Sequence, residues 1–179
     1  MTLSQLAIIL GASFGALQLY ILLKPETFTQ WARRFPRNEK WGFVLMTIGT
    51  SWFLYNLNAE TISDFANYKT FMMVGFGALG LLTCIFVRDF LAVRGSAIVL
   101  LLLAWFTLNH TRWADSQWKL VLVVWAYLWV IGGIWLTISP WRARDAILWK
   151  TATPQRLKVM SLFRLALGLL ILGLGIFVF

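Results

Sequence analysis

The chain has 179 residues, 60% of them hydrophobic, and a mean hydropathy of +0.74. A soluble domain is typically about 45–50% apolar, so this composition excludes the soluble globular class and predicts an all-α integral membrane protein. The formal net charge of +9 lies in connectors between apolar runs rather than on one soluble face, which favours anionic lipid over nucleic acid as a partner.

Six apolar segments follow one another along the chain, each close to the roughly 20 residues that a spanning helix needs. We predict one bundle and a single transmembrane domain over residues 1–179. Its six helices are expected at 3–23, 41–57, 71–87, 90–109, 119–139 and 159–179. The opening residues MTLSQ lack a positive n-region, so the first segment is expected to be retained rather than cleaved as a signal peptide.

The connector after the first segment, residues 24–41, predicts an amphipathic helix lying in the membrane surface. Its apolar positions recur at helical spacing, with arginines beside them. The apolar positions are Phe28, Trp31, Ala32 and Phe35, and the arginines are Arg33, Arg34 and Arg37. A second basic connector, residues 140–158, has a less regular stripe. Both a simple interfacial role and recognition of an anionic lipid or acidic partner stay open for the first connector.

Small side chains predict close helix packing in two segments. The positions are Gly11, Ala12, Gly15 and Ala16 in the first segment, and Gly77, Gly80 and Cys84 in the third. Between the third and fourth segments, a turn at Arg88 and Asp89 predicts a close antiparallel hairpin.

The distribution of Lys and Arg predicts the orientation. Of the 16 Lys and Arg residues, all except Lys69, Arg112 and Lys119 fall on the side of the connectors between segments 1–2, 3–4 and 5–6. This bias predicts a bacterial inner (cytoplasmic) membrane protein with both termini on the periplasmic side.

Residues 1–58 and 119–179 resemble each other as a weak direct repeat. The corresponding positions are Pro25 and Pro140, Pro36 and Pro154, and Gly49 and Gly168. Either a gene duplication or the prolines that commonly separate the two helices of a hairpin explain this pattern. The two explanations stay open.

Catalytic and metal-binding signatures are missing from the sequence. The seven Asp and Glu residues all lie in connectors or at helix ends, whereas ion-coupled transporters usually carry an ionisable group inside the spans. One histidine, His110, and one cysteine, Cys84, exclude bis-histidine haem ligation and a cysteine zinc site within one chain. We predict no catalytic residue, no metal and no cofactor, although bound lipid is expected.

Aromatic residues are abundant, with 11 tryptophans. Most lie near predicted interfaces, as aromatic belts do. Trp125 and Trp129 lie deeper in the fifth segment, where helix packing, lipid contact and a bound pigment are the alternatives. No residue pattern supports the pigment.

Seven arginines are predicted to contact lipid headgroups or a partner. They are Arg33, Arg34, Arg37, Arg88, Arg94, Arg142 and Arg144. For Arg88 and Arg94, the alternatives are anchoring of the turn by positive charge and bidentate binding of a phosphate or carboxylate. On the opposite side, His110 forms either a hydrated helix end or an outer ligand site with its polar neighbours.

The functional hypothesis is a non-catalytic accessory or scaffold subunit of a larger inner-membrane complex. It would contact anionic lipid and other transmembrane subunits, or associate with itself. The alternative is a small transporter or channel for an anionic or lipid-like solute, with Arg88, Arg94 and Arg164 at an inner entrance. A third hypothesis is a lipid-modifying enzyme that uses His110 and Asp115.

Overall fold

The structure is a computed structural model that describes residues 2–60 and 67–179. In these residues the regular secondary structure is helical, with no β-strand. This confirms the all-α prediction. The helices are α1 (Leu3–Leu23), α2 (Pro25–Arg34), α3 (Glu39–Ala59), α4 (Lys69–Phe86), α5 (Leu91–Arg112), α6 (Lys119–Ile138), α7 (Trp141–Lys150) and α8 (Pro154–Phe177), with a 3-10 turn at Phe35–Arg37.

Five of these helices, α1, α4, α5, α6 and α8, are long and apolar enough to cross a membrane. They indicate a membrane-embedded protein. The predicted second spanning segment lies on α3, which has 21 residues but is not one of the five. Its hydroxyl and amide side chains, including Thr47, Thr50 and Asn56, lower its apolar content. Six spans therefore remain a prediction.

Proline and a threonine cap set the start of α8. The Thr153 hydroxyl accepts a hydrogen bond from the Arg156 backbone N–H at 3.3 Å, and Pro154 occupies the first helical turn, where its missing N–H costs nothing. The helix thus begins at Pro154 rather than at residue 159, and Arg156 and Lys158 belong to it rather than to a connector.

The first connector is helical over a shorter range than its apolar stripe suggests. Helix α2 ends at Arg34, and Phe35 already belongs to the 3-10 turn with Pro36 and Arg37. Because proline lacks a backbone N–H, it favours such a helix end. Within the stripe, Ala32 is buried while Trp31 is exposed.

The chain divides into two compact units. Unit 1 comprises Met1–Arg33, Leu103–Val130 and Arg144–Phe179, and unit 2 comprises Arg34–Leu102 and Ile131–Ala143.

Unit 1 is built around the antiparallel pair α1 and α8. The Ser4 hydroxyl donates to the Gly175 carbonyl at 2.6 Å, and further along the pair the backbone of Gly15 lies against Gly168. A Cβ added at Gly11 would lie only 2.5 Å from the backbone nitrogen of Leu172. Glycine is therefore required at this position because any side chain would push the two backbones apart.

The apolar core of unit 1 lies where α6 meets the α1–α8 pair. Leu6, Leu122, Trp125 and Ile171 are buried together in it. The Trp125 ring packs edge-on against Phe14, with 5.1 Å between the ring centroids.

In unit 2, α3 packs against both α4 and α5. A Cβ at Gly80 of α4 would lie 2.6 Å from the Thr50 hydroxyl, and a Cβ at Gly95 of α5 would lie 2.8 Å from the Met46 backbone nitrogen. Met46 also forms a buried cluster with Cys84. Close backbone approach at glycine thus holds α3 to two neighbours.

The segment between α4 and α5 forms a tight turn. The Leu91 N–H donates to the Arg88 carbonyl at 3.3 Å. Phe90 adopts a left-handed conformation with φ 56°, which costs a residue with a Cβ about 1 kcal/mol.

Candidate anion-binding cluster

A bidentate arginine contact joins the first connector to the second. Arg33 of α2 donates from Nε to the Thr151 hydroxyl at 3.1 Å and from Nη2 to the Thr151 carbonyl at 2.9 Å. Thr151 lies just after α7 and is only 8% exposed. Its hydroxyl in turn donates to the Ile147 carbonyl at 2.8 Å. The planar fork of the guanidinium therefore fixes the end of α7 against α2.

A second arginine folds back over the end of α7. Arg156 of α8 donates from Nη1 to the Trp149 carbonyl at 3.1 Å, and its guanidinium lies 4.5 Å from the centroid of the Trp149 ring. This cation–π contact stabilises the positive charge of Arg156 without a carboxylate.

Lys150 and Arg164 form a pair of like charges in the same unit. Lys150 ends α7, Arg164 lies in the third turn of α8, and both side chains are partly buried. Burial lowers the pKa of Lys150 below its ordinary value of 10.5, and the positive charge of Arg164 lowers this pKa further. The pKa of Lys150 therefore responds to the charge of Arg164.

Neither cation of this pair has an acidic partner in the part of the chain that the structure describes. The only ion pair found there joins Arg144 and Asp145 at 3.0 Å, on an exposed stretch of α7. We refer to Arg33, Lys150, Arg156, Lys158 and Arg164 as the basic cluster.

A groove of about 420 Å³ lies beside this cluster in unit 1. It runs between α2 and the start of α8. Its polar lining consists of Glu26, Thr29, Gln30, Thr151, Thr153 and Lys158. Hydroxyl, amide and ammonium groups suit a polar headgroup, while Glu26 offsets part of the positive charge.

A smaller cavity of about 210 Å³ lies in unit 2 between α3 and α4. Thr47, Thr50 and Ser51 supply its hydroxyls, and Cys84 and Gly80 line the α4 side. It contains no charged side chain, so it offers an anion nothing beyond hydroxyl donors.

The arginines predicted to bind headgroups are distributed over both units. Arg33 and Arg144 belong to unit 1, and the other five belong to unit 2. Arg33 bonds Thr151 and Arg144 bonds Asp145, as described above. Arg34, Arg37, Arg88 and Arg142 are exposed. Arg94 is partly buried, and its Nε has no hydrogen-bond partner among the described residues.

The small residues predicted to pack also separate into two groups. Gly11 and Gly15 face α8, and Gly80 faces α3, as described above. Gly77 lies near Leu54 of α3, because a Cβ added at Gly77 would lie 3.6 Å from Cδ1 of Leu54. Ala12 and Ala16 are exposed, so only part of the small-residue face of α1 contacts α8.

His110 makes its contacts within its own helix. Its Nδ1 lies 2.8 Å from the Phe106 carbonyl, and its ring lies 4.3 Å from the Phe106 ring, centroid to centroid. Trp125 and Trp129, considered above for a pigment, pack against each other with ring centroids 4.4 Å apart and ring planes tilted by 51°. Trp125 is buried in the core of unit 1 at 5% exposure.

Sequence reasoning missed Lys150 and Thr151 as parts of a site. The order Thr153-Pro154 was the available signal, because a threonine followed by proline is typical of a helix start. Recognising that start would have placed Arg156, Lys158 and Arg164 on one helix beside the end of α7.

No group of three or more His, Cys, Asp or Glu residues that could hold a metal occurs in residues 2–60 and 67–179. Comparison of the chain with protein-family models, with curated proteins and with solved structures found no match.

Proposed function

We propose that the protein is a non-catalytic accessory or scaffold subunit of a larger inner-membrane complex. In this proposal six helices cross the membrane, α3 included, and the connector helices α2 and α7 lie at the cytoplasmic surface. The basic cluster contacts anionic lipid there, and the outer helix faces contact lipid and partner helices.

The observation that carries the proposal is the arrangement of the charged groups of unit 1. Arg33 and Arg156 are bonded to backbone carbonyls, a hydroxyl and an aromatic ring, so they hold α2, α7 and α8 together. Lys150 and Arg164 remain available to an anion. Such an arrangement supports positioning of helices and headgroups rather than chemical turnover.

Exposed apolar faces supply the second line of support. Helix α4 exposes large side chains along its length, among them Phe71 at 79% and Phe86 at 76%. On α1, Ala12 and Ala16 are exposed and lie four residues apart, a spacing that allows another helix to approach closely. We assign the Ala12–Ala16 face to a partner transmembrane helix and the α4 face to lipid.

Purification in a mild detergent followed by native mass spectrometry tests this proposal. We expect the protein to retain a partner membrane subunit or a second copy, and Ala16→Leu to weaken that association. Gly173→Leu is the matched control, because an added Cβ at Gly173 meets no atom within 4 Å. A protein that stays a lone monomer under these conditions, with or without the substitution, contradicts the accessory role.

One observation favours the alternative of a small transporter or channel for an anionic solute. The buried Arg94 Nε lacks a partner in the described chain, and a solute anion would satisfy it. Anion flux into proteoliposomes that Arg94→Gln abolishes, and that Arg142→Gln leaves unchanged, would favour transport over the scaffold role.

A further inference from the structure

The groove between α2 and the start of α8 has two walls of opposite chemistry, and the α2 wall is the negative one. Glu26, Thr29 and Gln30 line the groove from this side. Their spacing of three and four residues places them on one face of α2. The carboxylate, hydroxyl and amide groups all carry oxygens that accept hydrogen bonds. This wall therefore suits a cationic group that donates hydrogen bonds.

The wall formed by the start of α8 is positive. Lys158 and Thr153 line the groove there, with Pro154 and Leu157 as apolar neighbours. The Thr153 oxygen accepts a hydrogen bond from the Arg156 backbone N–H at 3.3 Å, so its hydroxyl proton can still be donated to a ligand. An ammonium and a hydroxyl donor together suit an anionic group.

The charges of the two walls are not used up on each other. The one ion pair found in the part of the chain that the structure describes lies on α7, so Glu26 and Lys158 line the same groove without pairing. The walls are held together elsewhere, by the hydrogen bonds of 3.1 and 2.9 Å from Arg33 to Thr151. The fold itself thus keeps an acceptor wall and a donor wall apart.

The size and the surroundings of the groove indicate what kind of molecule fills it. Its volume of about 420 Å³ lies within the range of roughly 300–1,000 Å³ for small-molecule sites. About one and three turns beyond Lys158 on the same face of α8, Leu162 and Leu169 are 61% and 56% exposed. A molecule with hydrocarbon chains below its polar head would cover these leucines, whereas a free polar molecule would leave them uncovered.

We propose that the groove binds the phosphoethanolamine headgroup of a phospholipid, with the ammonium at Glu26 and the phosphate at Lys158. A primary ammonium has three N–H donors, and the oxygens of Glu26, Thr29 and Gln30 accept them. A choline headgroup has no N–H to donate, so the α2 wall selects the amine over its methylated form.

The phosphate accepts hydrogen bonds from the Lys158 ammonium and the Thr153 hydroxyl, and the acyl chains lie along the exposed leucines of α8. This site rests on the proposed function, which places α2 and the start of α8 at the membrane surface. For that function it names a zwitterionic lipid class, in addition to the anionic lipid at the basic cluster, and the residues that distinguish it.

Lipid binding to the full-length, delipidated protein in mild detergent tests the site. The probes are phosphatidylethanolamine and phosphatidylcholine with the same acyl chains, and free phosphoethanolamine, measured by native mass spectrometry. We expect phosphatidylethanolamine to bind at least about fivefold more tightly than phosphatidylcholine, as for hydrogen bonds to a charged group in a groove open to water. Glu26→Gln/Lys158→Gln should remove this preference.

The matched control is Glu39→Gln/Lys40→Gln, which removes one acid and one base from exposed positions outside the groove. It should change binding less than about twofold, since exposed charges contribute little. The exchange Glu26→Lys/Lys158→Glu keeps the net charge but reverses the two walls, so it should also lose the preference. The conservative pair Glu26→Asp/Lys158→Arg should keep most of it.

Several outcomes would overturn the site. Equal binding of the two lipids by the wild type does so, and so does a preference that survives the exchange of Glu26 and Lys158. Equal losses in the test and control variants would show a general effect of charge rather than a groove. The test variants should melt at the temperature of the lipid-free wild type, because both side chains are exposed; lost binding together with a lower melting temperature overturns the proposal.

Two readouts separate the lipid from other ligands and from the accessory role. Free phosphoethanolamine that binds as tightly as the lipid would overturn the assignment to a phospholipid. Retention of a partner subunit is scored separately. A lost partner with an intact preference for phosphatidylethanolamine removes the accessory role and leaves the groove site standing, and a retained partner without that preference does the reverse.

Discussion

Arg33 and Thr151 are separated by 118 residues, yet two parallel hydrogen bonds from one guanidinium join them. We expect Arg33→Gln to reduce the free energy of unfolding by about 1 kcal/mol, because a bidentate contact to a nearly buried threonine is lost. Thermal unfolding in detergent micelles measures the change. Arg34→Gln, at the exposed neighbouring position, is the control and should have little effect.

A double-mutant cycle identifies the contact itself. Thr151→Val removes the hydroxyl that Arg33 and the Ile147 carbonyl share. If the effects of Arg33→Gln and Thr151→Val simply add, the two side chains are not coupled and the link between the connectors is contradicted.

Gly11→Ala should destabilise the α1–α8 pair by about 1–3 kcal/mol. Its new Cβ would meet the backbone of Leu172 and the carbonyl of Gly168 at 2.5 and 2.9 Å, and backbone atoms cannot turn aside as a flexible side chain can. Unfolding by titration with a denaturing detergent measures the loss.

Gly173→Ala on α8 provides the comparison for this test. No atom lies within 4 Å of its added Cβ, and alanine favours a helix over glycine by up to about 1 kcal/mol. We therefore expect Gly173→Ala to be neutral or stabilising. Equal losses from the two substitutions would argue against the close packing of α1 on α8.

Lys150 should titrate below its ordinary pKa of 10.5, because burial and the charge of Arg164 both disfavour its protonated form. Between the lowered pKa and 10.5, the unfolded chain binds more protons than the folded one, so this group makes stability rise with pH across that window. NMR of ¹³C-dimethylated lysines, assigned with Lys150→Arg, measures the pKa.

The same titration responds to the neighbours of Lys150. Arg164→Gln should raise the pKa of Lys150 by removing a positive charge. A pKa of Lys150 that is unchanged by Arg164→Gln contradicts the electrostatic effect of Arg164 on this lysine.

Cysteines introduced at Arg34 and Arg144 should be labelled from the cytoplasmic face, and one at Trp113 from the other face, in a Cys84→Ala background. This result follows from the bias of Lys and Arg. A membrane-impermeant maleimide, applied to spheroplasts and to inverted vesicles, makes the measurement. Labelling of positions 34 and 144 from opposite faces contradicts the proposed threading.

Helix α3 receives its own labelling test. If it spans the membrane, cysteines introduced at Lys40 and Asn58, near its two ends, should be labelled from opposite faces. A 21-residue helix is about 30 Å long, enough for a span. Labelling of both positions from one face would leave five spans.

The sequence predicts the helical class well because long apolar runs leave the backbone no other way to satisfy its hydrogen bonds in lipid. Helix ends were less predictable where polarity and helicity conflict. Arg156 and Lys158 suggested a connector, although Thr153 and Pro154 start a helix there. Phe35 continued a helical stripe that Pro36 interrupts.

Partners of helices were the least predictable feature. Gly11 and Ala12 look equally suitable for packing in the sequence, yet the structure buries the first and exposes the second. Which face is used depends on α8, far away in the chain. Arg33 and Thr151 likewise meet only because α2 lies beside the end of α7, a relationship that no local pattern encodes.

The contact between Ser4 and Gly175 spans 171 residues, and this separation has a consequence for biosynthesis. At roughly 5–20 residues per second, the first helix enters the bilayer on the order of ten seconds or more before its mate has been translated. Throughout that interval the glycines of α1 that face α8 lack their native contacts, so unit 1 cannot close until α8 has been made. A factor that shields nascent helices would therefore act on α1 during this interval.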